Sequence, residues 1–96
     1  MAGSGANGAE AETLAAGRQA LAAGEWRSAR RAFAAAAAEG ESSEALEGLG
    51  WASWWLDDVE TSFEARQRAY RLLLRQGDSL GAARLAISLG VDVWDF

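Results

Sequence analysis

The chain has 96 residues, enough for one domain, and a formal charge of −5 with half of its residues hydrophobic. Twenty-three alanines supply nearly half of that hydrophobic set, and β-branched residues are scarce, so the balance favours an all-helical chain whose elements approach closely. Cys, His, Lys and Pro are absent, which excludes a disulfide scaffold, a zinc site, a Ser-His-Asp or Cys-His nucleophile and a Lys Schiff base within this chain.

Residues 1 to about 8 are Gly, Ala, Ser and Asn with one Met, and read as a disordered lead-in to a domain over 9–96. The stretch has no cationic start and no apolar run, so it is not a secretory signal, and a cytoplasmic location is expected. From Glu10 the punctuation is regular. Gly24, Gly40 to Ser43, Asp57-Asp58 and Gly77 to Ser79 divide the chain into helices near 10–23, 25–39, 43–56, 58–76 and 79–94. Gly40 and Gly77 follow helical runs where a left-handed residue would close the helix. Ser42 or Ser43 can cap the third segment, Asp78 or Ser79 the fifth. Asp57 to Glu60 reads as a capping box with Asp57 at the cap. In the fourth segment acids come early and arginines late, matching the helix dipole, and Glu64 with Arg68 has the spacing of an ion pair. Short connections make consecutive helices antiparallel.

Shifting the chain by 33 residues places Gly17 on Gly50, Gly24 on Asp57, Trp26 on Val59, Ala29 on Ser62 and Ala36 on Ala69. Leu49-Gly50 followed by Trp54 recurs as Leu89-Gly90 followed by Trp94. Ala16-Gly17, Ala20, Gly24, Trp26, Ala29, Phe33 and Ala36 resemble the tetratricopeptide repeat pattern. The second unit matches it through Leu46, Leu49-Gly50, Ser53, the Asp57 turn, Ser62 and Ala69. The resemblance implies five helices as antiparallel pairs stacked in a short right-handed superhelix: repeat 1 over about 10–40, repeat 2 over about 42–76, and a half-repeat or capping helix over about 78–96. Three departures stand out. The usual Pro between repeats is missing, Arg66 stands where the second unit should carry its large aromatic, with Phe63 as the substitute nearby, and helix A of a third unit is longer than standard. More narrowly, ALEGLGWASWWL and RAYRLLLRQGDSLGAARLA are similar to the repeat region of LuxR-type bacterial transcriptional regulators. That resemblance implies a fragment of such a regulator, with the DNA-binding helix-turn-helix beyond Phe96.

Trp51, Trp54 and Trp55 form one stripe on the third helix. Trp54 reads as core, and Trp26 as the structural aromatic after the turn. In repeat register an inner surface collects Leu14 and Arg18, Glu44, Glu47, Trp51 and Trp55, and Ile87 and Val91. For Trp51 and Trp55, ligand contact and packing on a neighbouring helix are both open. Glu44 and Glu47 are either dipole compensation or an acidic rim that selects cations. The inner surface lacks the Lys and Asn with which the family grips a C-terminal carboxylate, so a cationic, apolar segment fits it better. Arginine clusters at Arg27–Arg31 and Arg66–Arg75 lie beside acids and read as a solvated, mixed-charge surface. With the acidic balance this argues against direct nucleic-acid binding, and no apolar run is long enough for a membrane span. No opposed carboxylates and no phosphate loop are visible. The expected function is a non-enzymatic protein-interaction module without cofactor or metal. The alternative is a self-associating repeat unit that forms homo-oligomers through its open C-terminal end.

Overall fold

The chain is all-α. A computed structural model describes the backbone of residues 2–40 and 42–95 and the side chains of 11–40 and 42–90. Five helices follow in order: α1 (Ala2–Ala22), α2 (Trp26–Glu39), α3 (Ser43–Trp55), α4 (Val59–Arg75) and α5 (Ser79–Asp95). Their ends fall where the Gly, Ser and Asp punctuation puts them, except at the start of α1. That helix begins at Ala2, inside the stretch read as a disordered lead-in. Once the packed part of α1 is formed, extending it toward the N-terminus needs only propagation, and the lead-in contains no Pro to stop it.

Three of the four connections share one geometry. Gly24, Asp57 and Gly77 all take left-handed backbone, with φ of 75°, 62° and 79°. The next residue's N–H then reaches back across the helix end: Glu25 to the Ala20 carbonyl (2.8 Å), Asp58 to Ser53 (2.9 Å) and Asp78 to Leu73 (2.9 Å). This is the paired-bond helix stop usually built on glycine. It corrects the capping-box reading of Asp57. That residue is the left-handed stop, and Asp58 is the cap, its Oδ1 accepting from the Thr61 N–H at 3.1 Å. An Asp tolerates the left-handed region better than most residues, which hid the position's glycine-like role. Ser42 caps α3 by accepting from the Ala45 N–H (3.1 Å), and Asp78 caps α5 by accepting from Gly81 (2.8 Å). Gly40 is also corrected: its backbone is extended (φ −176°, ψ 173°) rather than left-handed, and Ser42 before α3 is extended as well.

Each helix packs on its chain neighbour, and α1 also reaches α3. The neighbours run antiparallel: Trp26 at the start of α2 meets Trp55 at the end of α3, and the other consecutive pairs, joined by only three residues, pack on each other. The described core is split in two. Ala20, Ala29, Phe33 and Ala52 form one cluster across α1, α2 and α3; Leu46, Ala69, Leu72, Leu73, Ala82 and Leu85 form the other across α3, α4 and α5. α3 belongs to both, so the helices form layers rather than surrounding one centre.

The layers repeat a specific contact. Phe33 is buried between two glycines: a Cβ on Gly17 of α1 would lie 2.8 Å from its ring, and one on Gly48 of α3 would lie 2.5 Å away. Thirty-three residues later Arg66 takes the same place. Its Cγ would lie 2.7 Å from a Cβ on Gly50, and its Nη1 donates to Ser88 Oγ of α5 at 2.8 Å. Gly50 therefore sits against α4, as the 33-residue shift predicts. Where the first layer has Ala29 beside Phe33, the second has Ser62, whose Oγ accepts from Arg66 Nη2 at 3.0 Å. Exchanging a phenyl ring for a guanidinium is accompanied by hydroxyls on both sides, as burying a charge requires.

Candidate functional site

Glu44, Glu47, Trp51 and Trp55 recur on α3 at steps of three and four residues, so they share one face. The two acids are bound from within the chain. Arg18 of α1 holds Glu44 with both arms of its guanidinium, Nη2 to Oε1 at 2.9 Å and Nε to Oε2. Arg84 of α5 holds Glu47, Nη1 to Oε1 at 3.0 Å and Nη2 to Oε2 at 3.3 Å. Hydrogen bonding to Arg18 pulls the Glu44 carboxyl below its usual range, and the same bond raises Arg18. Arg84 is likewise raised by its bond to Glu47. The edge expected to select a cationic partner is thus neutralised by two arginines, which tie α1 and α5 to α3.

The aromatic part of the face stays open. Trp51 is 38% exposed, and the Arg66 guanidinium lies 5.3 Å from its ring centroid. The same guanidinium lies 5.9 Å from the Trp54 ring and 5.3 Å from Phe63, within reach of cation–π attraction to all three. Trp54 is half-buried, in keeping with a packing role. Trp55 is 57% exposed and stacks on Trp26, with ring centroids 5.1 Å apart and planes 12° from parallel. The stack forms because α2 starts where α3 ends, so the aromatic following one turn meets the aromatic preceding another. It leaves a flat apolar platform at one end of the α2–α3 pair.

Compared with protein families, curated proteins and solved structures, the chain matches none. Its own geometry carries the reading.

Of the eight residues expected on the inner surface, Arg18, Glu44, Glu47, Trp51 and Trp55 come together along α1 and α3. Leu14 instead packs half-buried against the first core cluster. Ile87, one turn beyond Arg84 on α5, is 68% exposed, and the side chain of Val91 lies outside the described residues. Sequence reasoning missed Arg84 and Arg66. Arg84 was within reach, since aligning Leu89-Gly90 with Leu49-Gly50 sets it opposite Glu44 and in one stripe with Ile87. Among the described residues, no group of His, Cys, Asp and Glu could hold a metal ion, and no helix is long and apolar enough to cross a membrane.

Proposed function

We propose that the chain is a non-enzymatic protein–protein interaction module, a tetratricopeptide-like scaffold working in the bacterial cytoplasm as part of a LuxR-type regulator. The recurrence of Phe33 against Gly17 as Arg66 against Gly50 supports the repeat reading. The observation that carries the interaction reading is the Trp26–Trp55 stack, whose outer ring is more than half exposed next to a partly exposed Trp51. Exposed aromatics of this size are costly in water and are the residues that anchor interfaces. Because Arg18 and Arg84 already occupy the acids, the partner is an apolar or aromatic segment whose binding depends little on cationic side chains.

The test uses the whole chain as bait beside its Trp55→Ala variant, each shown by circular dichroism to melt normally. A protein held by the parent is then purified and titrated against both. Loss of affinity by more than about tenfold in Trp55→Ala is expected for an anchoring aromatic. Equal affinity for both baits would remove the platform from the interaction.

A second reading rests on α5. Leu80 is 83% exposed and Ile87 is 68% exposed, two turns apart on one face. Such a stripe suits stacking on another copy, and terminal repeats without a polar outer face associate. Sedimentation velocity across a concentration series decides it: association abolished by Ile87→Glu supports the reading, and a monomer at every concentration ends it.

A further inference from the structure

At the end of the α2–α3 pair away from the Trp26–Trp55 stack, a hollow of about 830 Å³ opens between the last turn of α2 and the second half of α4. It exists because α2 and α4 both pack on α3 and, among the described residues, not on each other. Its walls differ as their sequences do. On the α2 side Ala37 and Ala38 leave room by their short side chains. The α4 side carries Arg68, Arg71 and Arg75, which recur at steps of three and four residues and so share one face. Leu46 at the base is already part of the core, so the larger apolar surface still open to a ligand is that of Leu74, 49% exposed.

No carboxylate lines this hollow among the described residues, and Arg68 and Arg71 have no ion pair or hydrogen bond there. The pair expected between Glu64 and Arg68 is therefore not formed, and the mixed-charge reading of Arg66–Arg75 fails at these two positions. One opposing charge remains. The C-terminal end of α2 contributes roughly half a unit of negative charge, which leaves most of the charge of Arg68 and Arg71 uncompensated.

We infer that the hollow binds a small phosphate monoester with an apolar body, its phosphate on Arg68 and Arg71 and its body against Leu74 and the α2 alanines. The head group follows from the donors. Arg68 and Arg71 lie one turn apart and offer two forks of parallel N–H groups. A carboxylate has two oxygens, which one fork satisfies, whereas a phosphate monoester has three terminal oxygens and up to two negative charges, enough for both. The body follows from the size. Hollows of roughly 300–1,000 Å³ suit small organic ligands, and a bare phosphate would leave most of this one, Leu74 included, in water. The site does not depend on the interaction proposed for the tryptophans.

The experiment titrates the full chain, labelled for two-dimensional NMR, with phenyl phosphate, inorganic phosphate and benzoate. Phenyl phosphate is expected to shift the amides of Ala37, Ala38 and Leu74, and to bind about fivefold or more tighter than either of the others. Arg68→Gln with Arg71→Gln, two exposed changes, should weaken it about tenfold or more at a nearly unchanged melting temperature. Leu74→Ser should bring phenyl phosphate down to the affinity of inorganic phosphate, and Arg31→Gln, outside the hollow, should alter nothing. Absence of shifts by about 10 mM phenyl phosphate, shifts confined to Trp26 and Trp55, an unaffected double variant, or equal weakening by Arg31→Gln would each overturn the proposal. Inorganic phosphate binding as tightly as phenyl phosphate would overturn it too, since charge alone would then suffice, as would benzoate binding as tightly, since no phosphate would be needed. Trp55→Ala leaves these outcomes unchanged, so this reading and that of the platform fail separately.

Discussion

Gly48→Ala opposes helix propensity to packing at a single atom. Replacing Gly by Ala in a helix interior ordinarily stabilises by about 1 kcal/mol. At Gly48 the new methyl would lie 2.5 Å from two carbons of the Phe33 ring, about 1 Å inside normal contact. The ring has little room to retreat toward α1, because a Cβ on Gly17 would meet the same ring at 2.8 Å, which measures how close that backbone already is. Overpacking of this kind costs about 1–3 kcal/mol, so the net change is a destabilisation of about 1 kcal/mol, read as a fall in melting temperature of roughly 4–8 °C. Gly90→Ala in α5 supplies the control. It has the same propensity gain and nothing within 4 Å of the added Cβ among the described residues, so it should raise the melting temperature. The difference between the two variants isolates the packing contribution. Phe33→Leu, which removes ring atoms from the contact, should make Gly48→Ala less harmful than it is in the parent. If Gly48→Ala is as stabilising as Gly90→Ala, the seating of Phe33 between two backbones is wrong.

Asp57→Gly should stabilise by about 0.5–1 kcal/mol in chemical denaturation, because the position is left-handed and its two counterparts are glycines; a loss would mean the Asp57 side chain has a role of its own. Ser53→Ala should be neutral or stabilising by up to about 1 kcal/mol, since the Ser53 hydroxyl is buried without a hydrogen-bond partner where the first repeat has Ala20. Arg66→Ala should cost about 2–4 kcal/mol, because it empties a buried space and strands the hydroxyls of Ser62 and Ser88. The Glu44 and Asp58 carboxyls are both held below their usual range, Glu44 by Arg18 and Asp58 by hydrogen bonds from Thr61. Groups shifted this way stabilise the fold above their unfolded values near pH 4 and lose that contribution as the pH falls through the folded ones. The melting temperature should therefore drop on acidification below about pH 4.5, and Glu44→Gln should show a smaller drop than the parent.

Helix ends were legible because Gly, Ser and Asp act locally, and each cap needs only three or four residues to form. Gly50 was legible for a different reason: a small residue recurring at a fixed shift signals close approach whatever surrounds it. Asp57 and Gly40 misled because residue type constrains backbone only statistically, and the geometry of the adjoining cap decides. Arg66 reads as a flaw in the pattern when taken alone. It becomes a core residue only with Ser62 and Ser88, one of them on another helix and 22 positions away. The ion pairs of Glu44 and Glu47 were hidden for the same reason, since each joins helices whose relative placement the sequence does not state.

The exchange of Phe33 for Arg66 makes the two seams of the stack chemically unlike. A phenyl ring seats against a glycine backbone and needs no counterpart, whereas the guanidinium seats against a helix that presents a hydroxyl at one position. Placed over α4, α3 would offer Gly48 where Arg66 needs Ser88. Placed over α2, α5 would bring the Ser88 hydroxyl against the edge of a ring that cannot bond it. Each wrong order leaves a polar group stranded, at about 1–3 kcal/mol. Each seam therefore favours the helix face that matches it, a glycine backbone against the Phe33 ring in one and a hydroxyl against the Arg66 guanidinium in the other.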